Sequence, residues 1–252
     1  MNNITVGVPL YNNEKYILEC LDSIFEQDFN GNIEVILVDD NSSDKSLLIA
    51  EVYVRARANE RKNVSFKIIK NNENLGIAKT KNIIINNASN DFIIFLASDD
   101  VMHKKCLQTF LDNYKETDDF LFCGCKMINE KSELVQDYQP PVFGSNQDFK
   151  WACIEAAKKN QMFVNYDTVF AKTETWRQTL FYEDIKYGED LEHLLCCLLK
   201  KELTFRQLLV MCIGYRIHSN MTTTLQNKNI PENNKKIFKH INELTDKKIF
   251  DV

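Results

Sequence analysis

Residues 91–100 read DFIIFLASDD, and this segment anchors the interpretation of the whole chain. The uninterrupted apolar run from Phe92 to Ala97 is typical of a fully buried β-strand. Asp99 and Asp100 follow it, and carboxylates held at the end of a buried strand are suitable ligands for Mg²⁺ or Mn²⁺. An isolated Asp-Asp pair is more often a turn that caps a helix, so the metal interpretation depends on the rest of the sequence.

The first hundred residues alternate between patterns typical of strands and patterns typical of helices. Strands are predicted at residues 4–8, 33–38, 64–70 and 92–97, and helices at residues 14–27, 45–60 and 77–87. Such alternation indicates an α/β fold with a mostly parallel sheet and helices on both faces. Right-handed crossovers then bring the carboxyl ends of all four strands to one edge of the sheet.

Several polar or flexible segments follow the predicted strands and should therefore share this edge. They are Tyr11, Asp40, the loop from Asn71 to Gly76, and the pair Asp99-Asp100. In open α/β sheets, ligands bind at the carboxyl edge, near the point where the strand order reverses. An aromatic ring, several carboxylates and a glycine-containing loop favour a nucleotide together with a divalent metal ion.

The second half of the chain is less regular. Its patterns predict helices at 104–115, 148–159 and 191–200, strands at 120–127, 166–171 and 203–215, and a loop at 139–146. The tail from about residue 226 is polar, with a short amphipathic helix at 235–244. Since no segment resembles a linker, we expect a single domain with a helical tail.

Composition excludes several classes of protein. The chain has 252 residues, 44% hydrophobic and 27% charged, as in an ordinary globular protein. A net charge of -5 argues against nucleic acid as a partner. Residues 1–4 carry neither a basic segment nor an apolar signal core, and no apolar run is long enough to span a membrane, so a cytoplasmic location is expected. The eight cysteines contain no CxxC and are interpreted as reduced core residues.

Five short segments together resemble the family 2 glycosyltransferases, whose nucleotide-sugar-binding fold is of the A type. They are, in the order of the family's motifs, VPLYNNE (8–14), VDDNSSD (38–44), NLGIAKTKN (74–82), FLASDD (95–100) and GED (188–190). The resemblance covers roughly residues 4–220. It implies a glycosyltransferase A-type domain over residues 1–225, with a nucleotide-binding half (1–100) and an acceptor-binding half (101–225), followed by a tail (226–252).

The resemblance implies roles in binding the nucleotide-sugar donor. Tyr11 would lie against the nucleotide base, and Asp40 would hydrogen-bond to that base. Lys81 would stand close to the donor where relatives have arginine. Ser98 and Asp99 would face its ribose or sugar side. The same pocket would be shaped by Pro9, Leu10, Asn12 and Glu14.

The resemblance also implies the metal ligands and the catalytic base. Asp100 would bind a Mn²⁺ or Mg²⁺ ion that bridges the diphosphate, and His218 would make a further contact to the metal or diphosphate. Asp190 would be the catalytic base. Considered alone, Asp190 could equally be a helix cap, His218 an ordinary histidine, and Glu189 an exposed acid in the first turn of its helix.

Two positions depart from the family pattern. Ala97 replaces the first acid of the family's Asp-x-Asp-Asp run, so the motif lacks one of its three acids. Lys81 keeps the positive charge of the usual arginine but loses its bidentate fork.

The resemblance therefore implies an inverting, metal-dependent glycosyltransferase. It would move a sugar from a nucleotide-sugar, expected to be UDP-linked, to a hydroxyl group of a bacterial surface glycan such as lipopolysaccharide, capsule or a lipid-linked oligosaccharide. The alternative, motivated by Ala97, is a non-catalytic module that binds a nucleotide-sugar or a protein. A nucleotidyltransferase is disfavoured because PLYN (9–12) is not a glycine-rich phosphate loop, and no GxxxxGK[ST] motif of a kinase occurs.

The sequence of the tail is compatible with two kinds of interaction, one with a membrane and one with a second subunit. The lysines of the tail are interleaved with Ile237, Phe238 and Ile241 and could contact an anionic membrane surface, which would place the protein at the inner face of the membrane. A solvated helix, or one that packs between subunits of a homodimer, explains the same pattern more simply.

Overall fold

The computed structural model describes residues 3–57, 59–185, 187–219, 221 and 230–251, with residues 230 and 231 described by backbone alone. In chain order the strands are β1 (Ile4–Leu10), β2 (Ile33–Asp39), β3 (Val64–Lys70), β4 (Phe92–Phe95), β5 (Val101–Met102), β6 (Phe120–Ile128), β7 (Leu134–Tyr138), β8 (Phe170–Lys172) and β9 (Phe205–Arg216). The α-helices are α1 (Ile17–Phe25), α2 (Ser46–Arg57), α3 (Ile77–Asn87), α4 (Cys106–Asn113), α5 (Asn146–Lys158), α6 (Thr173–Gln178), α7 (Glu189–Leu199) and α8 (Ile230–Thr245).

The strands form one sheet in the order β3-β2-β1-β4-β8-β6-β9-β5, with β7 paired to β6. Strands β1 to β4 are parallel, as predicted, and β8 runs antiparallel between β4 and β6. Since β6 and β9 are parallel to each other, both point in the direction of β1 to β4. The carboxyl ends of β1, β2, β4 and β9 therefore meet at one edge of the sheet, called the rim below.

Apolar cores cover both faces of the sheet. Helices α1, α2 and α4 pack on one face and helices α3, α5, α6 and α7 on the other. The buried runs in β1, β2 and β4 are apolar on both sides because both faces are covered, which is the expected property of parallel strands. The α/β architecture predicted from the sequence is thus confirmed.

A third, smaller core joins the tail to the rest of the molecule. Ile237 and Ile241 of α8 are fully buried, and with Phe238 they pack against Leu191 and Leu195 of α7. The apolar residues considered for membrane contact are therefore enclosed within the protein. Residues 226–229 and 252 of the tail lie outside the described residues.

Local details of the second half differ from the sequence predictions. The segment expected to be a strand at 166–171 is a 3₁₀ turn (Tyr166–Thr168) followed by the short strand β8. The turn forms because the side chain of Asn165 accepts a hydrogen bond from the backbone N–H of Asp167. Strands β5 and β7 and helix α6 were not predicted, since β5 is only two residues long and β7 is exposed along most of its length.

Candidate active site

The loop after β1 joins the N-terminus of α2 to the acidic segment after β4. Asn12 Oδ1 accepts a hydrogen bond from the N–H of Ser43 at 2.8 Å, and Glu14 Oε2 accepts one from the N–H of Lys45 at 3.0 Å. Asn13 Nδ2 donates to Ser98 Oγ at 2.7 Å. Asn12 and Glu14, both predicted pocket residues, therefore stabilise this loop and cap the turn that leads into α2.

Tyr11 and its neighbours on β1 differ sharply in exposure. Leu10 is 1% exposed and its backbone oxygen accepts a hydrogen bond from the N–H of Asp40 at 2.8 Å, whereas Pro9 is partly buried within the strand. The Tyr11 side chain is 50% exposed at the rim. An exposed aromatic ring beside buried strand ends is available to stack on a planar ligand.

Asp40 fastens the loop that precedes α3. Its Oδ1 accepts hydrogen bonds from Asn71 Nδ2 and from the N–H of Leu75, both at 2.8 Å, and its Oδ2 accepts one from the N–H of Gly76 at 2.9 Å. Gly76 has a φ of 86°, a conformation that favours glycine. The residue predicted to read the nucleotide base is thus buried and already orders the neighbouring loop.

Asp99 and His218 form a pair at the rim. His218 Nε2 lies 2.9 Å from Asp99 Oδ2, and the histidine ring packs against Tyr16 with 4.8 Å between the ring centroids. Because β9 is parallel to β4, the segment after β9 reaches the same edge as the segment after β4. The histidine proposed as a metal contact is therefore next to Asp99, and Asp100 lies beside this pair.

Arg216, at the end of β9, holds the acidic segment in place. Its backbone N–H donates to Asp100 Oδ1 and its Nε donates to the backbone oxygen of Asp99, both at 2.7 Å. Its Nη2 lies 2.7 Å from Glu19 Oε2 on α1. The side chain is fully buried, so this guanidinium ties together β9, α1 and the segment after β4. Arg216 could not be assigned a role from the sequence, because only the fold brings it to Asp99.

Asp100 has one oxygen without a hydrogen bond. The residue is 1% exposed, and its Oδ2 is buried and receives no donor. The carboxyl group of Asp167, from the turn before β8, contacts that of Asp100. Burial, together with the negative charges of Asp167 and Asp99, raises the pKa of Asp100 well above its usual range. Asp167 was not singled out from the sequence, because a strand was expected there and its side-chain direction was not recognised.

The two residues predicted to hold the divalent cation, Asp100 and His218, offer it a carboxylate and an imidazole. No group of three His, Cys, Asp or Glu side chains within the described ranges is arranged as a complete metal site. Mg²⁺ in nucleotide sites, however, commonly takes only one or two carboxylates and completes its shell with phosphate and water oxygens. The buried Asp100 Oδ2, which lacks a donor, is the kind of atom that a cation would satisfy.

Asp190 lies at the start of α7 in an ion-paired cluster with Lys81 and Glu189. Lys81 Nζ is 2.5 Å from Asp190 Oδ1 and 3.0 Å from Glu189 Oε1. Gly188, with a φ of 82°, turns the chain so that both acids enter the first turn of the helix. Glu189 was expected to be exposed, but it is 9% exposed and its partner is the buried Lys81.

The ion pair and the surrounding protein act on the pKa of Asp190 in opposite directions. Burial raises the pKa of Asp190 to about 7, although the positive charge of Lys81 lowers it. Burial disfavours the charged form of Lys81, yet Asp190 and Glu189 more than offset this and raise its pKa. Asp190 is therefore a carboxylate that can bind a proton near neutral pH, which suits a general base.

Asp167 links the two charged clusters of the site. Burial raises the pKa of Asp167, and the positive charge of Lys81 opposes this rise. Burial also raises the pKa of Asp190, and the negative charge of Asp167 adds to that rise. Contacts and charge interactions thus run without a break from the Asp99–His218 pair through Asp100, Asp167 and Lys81 to Asp190.

The α/β fold, with its mixed sheet and open rim, is the A-type fold found in solved glycosyltransferases. The model of the family described as "Glycosyl transferase family 2" matches residues 5–181, and the chain belongs to that family.

Named relatives are glycosyltransferases of bacteria. Poly(ribitol-phosphate) beta-N-acetylglucosaminyltransferase TarS of Staphylococcus aureus is 35% identical over 134 residues, which are 51% of this chain and 22% of TarS. Glycosyltransferase GlyG of Streptococcus pneumoniae is 33% identical over 115 residues, which are 46% of this chain and 36% of GlyG. The matched part is thus about a fifth of TarS and about a third of GlyG.

Solved structures of glycosyltransferases share the fold. S. aureus TarS 1-349 in complex with UDP-GlcNAc superimposes with a TM-score of 0.69 at 23% identity, covering 97% of this chain and 66% of that one. Mannosyltransferase PcManGT from Pyrobaculum calidifontis, in complex with GDP-Man and Mn²⁺, gives a TM-score of 0.62 at 19% identity. The match covers 90% of this chain and 60% of PcManGT. At these identities the similarity establishes the A-type fold.

Proposed function

We propose that this chain transfers a sugar, with inversion, from a UDP-linked donor to a hydroxyl group of a bacterial surface-glycan acceptor, with a divalent cation at the donor diphosphate and Asp190 as general base. The observation that carries the proposal is the series of hydrogen bonds, ion pairs and charge interactions that links the Asp99–His218 pair to Asp190. It supports a donor diphosphate at one end of the series and a proton acceptor at the other.

The donor is proposed to bind along the rim. The exposed Tyr11 ring would stack on the uracil, and the loop fastened by Asp40 would enclose the nucleotide. The choice of UDP is supported by the structures of TarS with UDP and with UDP-GlcNAc. Ser98 and Asp99, joined to the Tyr11 loop through Asn13, would face the ribose.

The cation is proposed to lie at Asp100 and His218. A bound Mn²⁺ or Mg²⁺ would neutralise negative charge that develops on the departing diphosphate. Metal dependence is supported by the unsatisfied Oδ2 of Asp100 and by the Mn²⁺ in the PcManGT structure. Arg216 holds the backbone of Asp99 and the carboxylate of Asp100 in position for this role.

The proposed reaction is a single displacement. The acceptor oxygen forms a bond to the anomeric carbon, the bond from that carbon to the diphosphate oxygen breaks, and the hydroxyl proton passes to Asp190. Lys81 keeps Asp190 in place and ionised before the acceptor arrives. Because one base lies opposite one leaving group, the configuration at the anomeric carbon inverts.

The acceptor and the cellular setting follow by analogy with the relatives. TarS is a poly(ribitol-phosphate) N-acetylglucosaminyltransferase, which supports a surface-glycan or lipid-linked acceptor for this chain. Such an acceptor would place the reaction in the cytoplasm or at the inner face of the membrane. In the part of the chain that the structure describes, no helix is both long enough and apolar enough to cross a membrane. The packing of Ile237, Phe238 and Ile241 leaves the lysines of α8 for any membrane contact, and a homodimer remains a proposal.

The alternative is a module of the same fold that binds a nucleotide-sugar without turnover. The single observation in its favour is Ala97 at the position of the family's first acid. This alternative and the proposed enzyme differ in whether the bound donor is consumed.

The decisive experiment compares the parent protein with Asp190→Asn and with the matched control Asp184→Asn, whose side chain is exposed on the preceding loop. UDP release from UDP-GlcNAc and other UDP-sugars is measured with Mn²⁺ and with a surface-glycan acceptor. We expect Asp190→Asn to lose at least about 10²-fold in rate, since general-base catalysis typically contributes about 10² to 10⁴. The control should keep the parent rate. Binding of UDP-sugar without turnover by the parent would favour the non-catalytic module.

A further inference from the structure

Position 97 lacks the acid that the family motif carries, but the structure brings another carboxylate to this position. Asp167 Oδ1 accepts a hydrogen bond from the backbone N–H of Ala97 at 3.1 Å. A carboxylate that is missing from the segment after β4 is thus supplied by the turn before β8.

The sheet register explains why Asp167 arrives there. In the antiparallel pair of β4 and β8, Phe92 lies opposite Lys172 and Ile94 lies opposite Phe170. The same register, continued by three residues along each chain, places Ala97 opposite Asp167. The 3₁₀ turn capped by Asn165 interrupts the strand at this point and fixes the backbone of Asp167.

Asp167 lies against a second buried acid. Its carboxyl group contacts that of Asp100, whose Oδ2 is buried and has no hydrogen-bond donor. Two ionised carboxylates offer each other no donor, so their contact is stable only with a proton or a cation between them. Lys81 interacts with Asp167 but forms its ion pairs with Glu189 and Asp190.

We propose that Asp167 takes the place of the acid missing at position 97 and, together with Asp100, binds the divalent cation of the donor complex. This inference rests on the metal dependence in the proposed function. It explains how the motif keeps two carboxylates for a hard cation although its first acid is absent. A purely structural Asp167, held by the N–H of Ala97 and by a proton shared with Asp100, is the competing explanation.

The test measures Mn²⁺ binding in the presence of UDP by electron paramagnetic resonance of the free ion. Four full-length proteins are compared: the parent, Asp167→Asn, the double variant Ala97→Asp/Asp167→Asn, and Glu155→Gln as a control that removes one exposed acid. We expect Asp167→Asn to weaken Mn²⁺ binding at least about tenfold, since even outer-shell changes cost about 10- to 100-fold. The double variant should recover most of the lost affinity for Mn²⁺, because it returns a carboxylate to position 97.

Thermal unfolding of the same proteins separates the two explanations. If Asp167 serves the cation, Asp167→Asn relieves repulsion with Asp100, so its Tm without Mn²⁺ is equal to or above that of the parent, and the increase in Tm with Mn²⁺ and UDP is smaller than in the parent. Unchanged Mn²⁺ binding by Asp167→Asn, or failure of Ala97→Asp to restore binding, overturns the inference alone. If Asp167→Asn does not fold, the folded double variant must bind Mn²⁺ as the parent does; weaker binding overturns the inference. A parent protein that binds no Mn²⁺ with UDP overturns both this inference and the metal dependence of the proposed function.

Discussion

At the scale of single residues, the site is built from carboxylates whose behaviour depends on partners distant in sequence. Asp40 was expected from its motif to contact the donor, and the structure adds hydrogen bonds that connect it to the loop before α3. Asp190 was expected from its motif to be a base, and the structure adds the ion pair with Lys81. Asp167 lies outside every motif, so only the fold shows that it is next to Asp100. Short motifs thus indicated residues of interest, whereas side-chain partners required the three-dimensional arrangement.

The pH dependence of activity follows from the pair of Lys81 and Asp190. Since burial raises the pKa of Asp190 to about 7, the fraction of ionised base, and with it kcat/KM, should rise as the pH increases through about 7. Lys81→Met removes the charge that lowers this pKa, so the rising limb should move to higher pH by about 1 to 3 pH units. The measurement is kcat/KM against pH, with Lys79→Met on the same helix as the matched control. A limb that stays in place or moves to lower pH in Lys81→Met would contradict the assignment of Asp190 as the base.

At the scale of elements, the strongly periodic segments were predicted well and the short ones were not. Helix α3 was predicted at its observed bounds, and α7 within two residues, because long apolar patterns determine which face is buried. Strand β8 is only three residues long and begins after a capped turn, so alternation alone could not separate it from residues 166–169. The amphipathic pattern of α8 was recognised, but such a pattern does not predict which part of the protein the helix packs against.

Docking of α8 on α7 can be tested at Ile237, which is fully buried in their shared core. Ile237→Ala should lower the free energy of unfolding by about 2–5 kcal/mol, because a buried aliphatic side chain is replaced by a cavity. Ile237 also lies against Gly188, so the turn that carries Glu189 and Asp190 should loosen and kcat should fall. Urea unfolding and steady-state rates measure the two effects. The exposed Leu209→Ala is the control and should stay within about 0.5 kcal/mol of the parent.

A result in which Ile237→Ala loses stability but keeps the parent kcat would show that α8 supports the fold without positioning the catalytic turn. Unchanged stability would contradict the observed packing itself.

At the scale of the whole molecule, topology explains why one half of the sequence was interpreted more completely than the other. Strands β1 to β4 follow simple crossovers, so their common edge could be derived from the alternation of elements. Strands β6, β8 and β9 join the sheet out of sequence order, with β8 antiparallel, and no local pattern specifies such a pairing. His218 and Arg216 reach the rim only because β9 is parallel to β4. No pattern in the sequence predicts the direction of β9.

Ligand binding should stabilise the molecule as a unit, because the proposed donor site gathers segments that follow β1, β2, β4 and β9. Free ligand at about 100 times its Kd adds about 2.7 kcal/mol to the free energy of unfolding. For a domain of this size, 1 kcal/mol changes Tm by about 2–4 °C, so UDP with Mn²⁺ should raise Tm by roughly 5–10 °C. Differential scanning fluorimetry measures the change, EDTA should abolish most of it, and ADP with Mn²⁺ tests whether the base contributes. An equal Tm with and without UDP and Mn²⁺ would mean that these rim segments do not form a donor site, since a ligand that binds only the folded state must raise its stability.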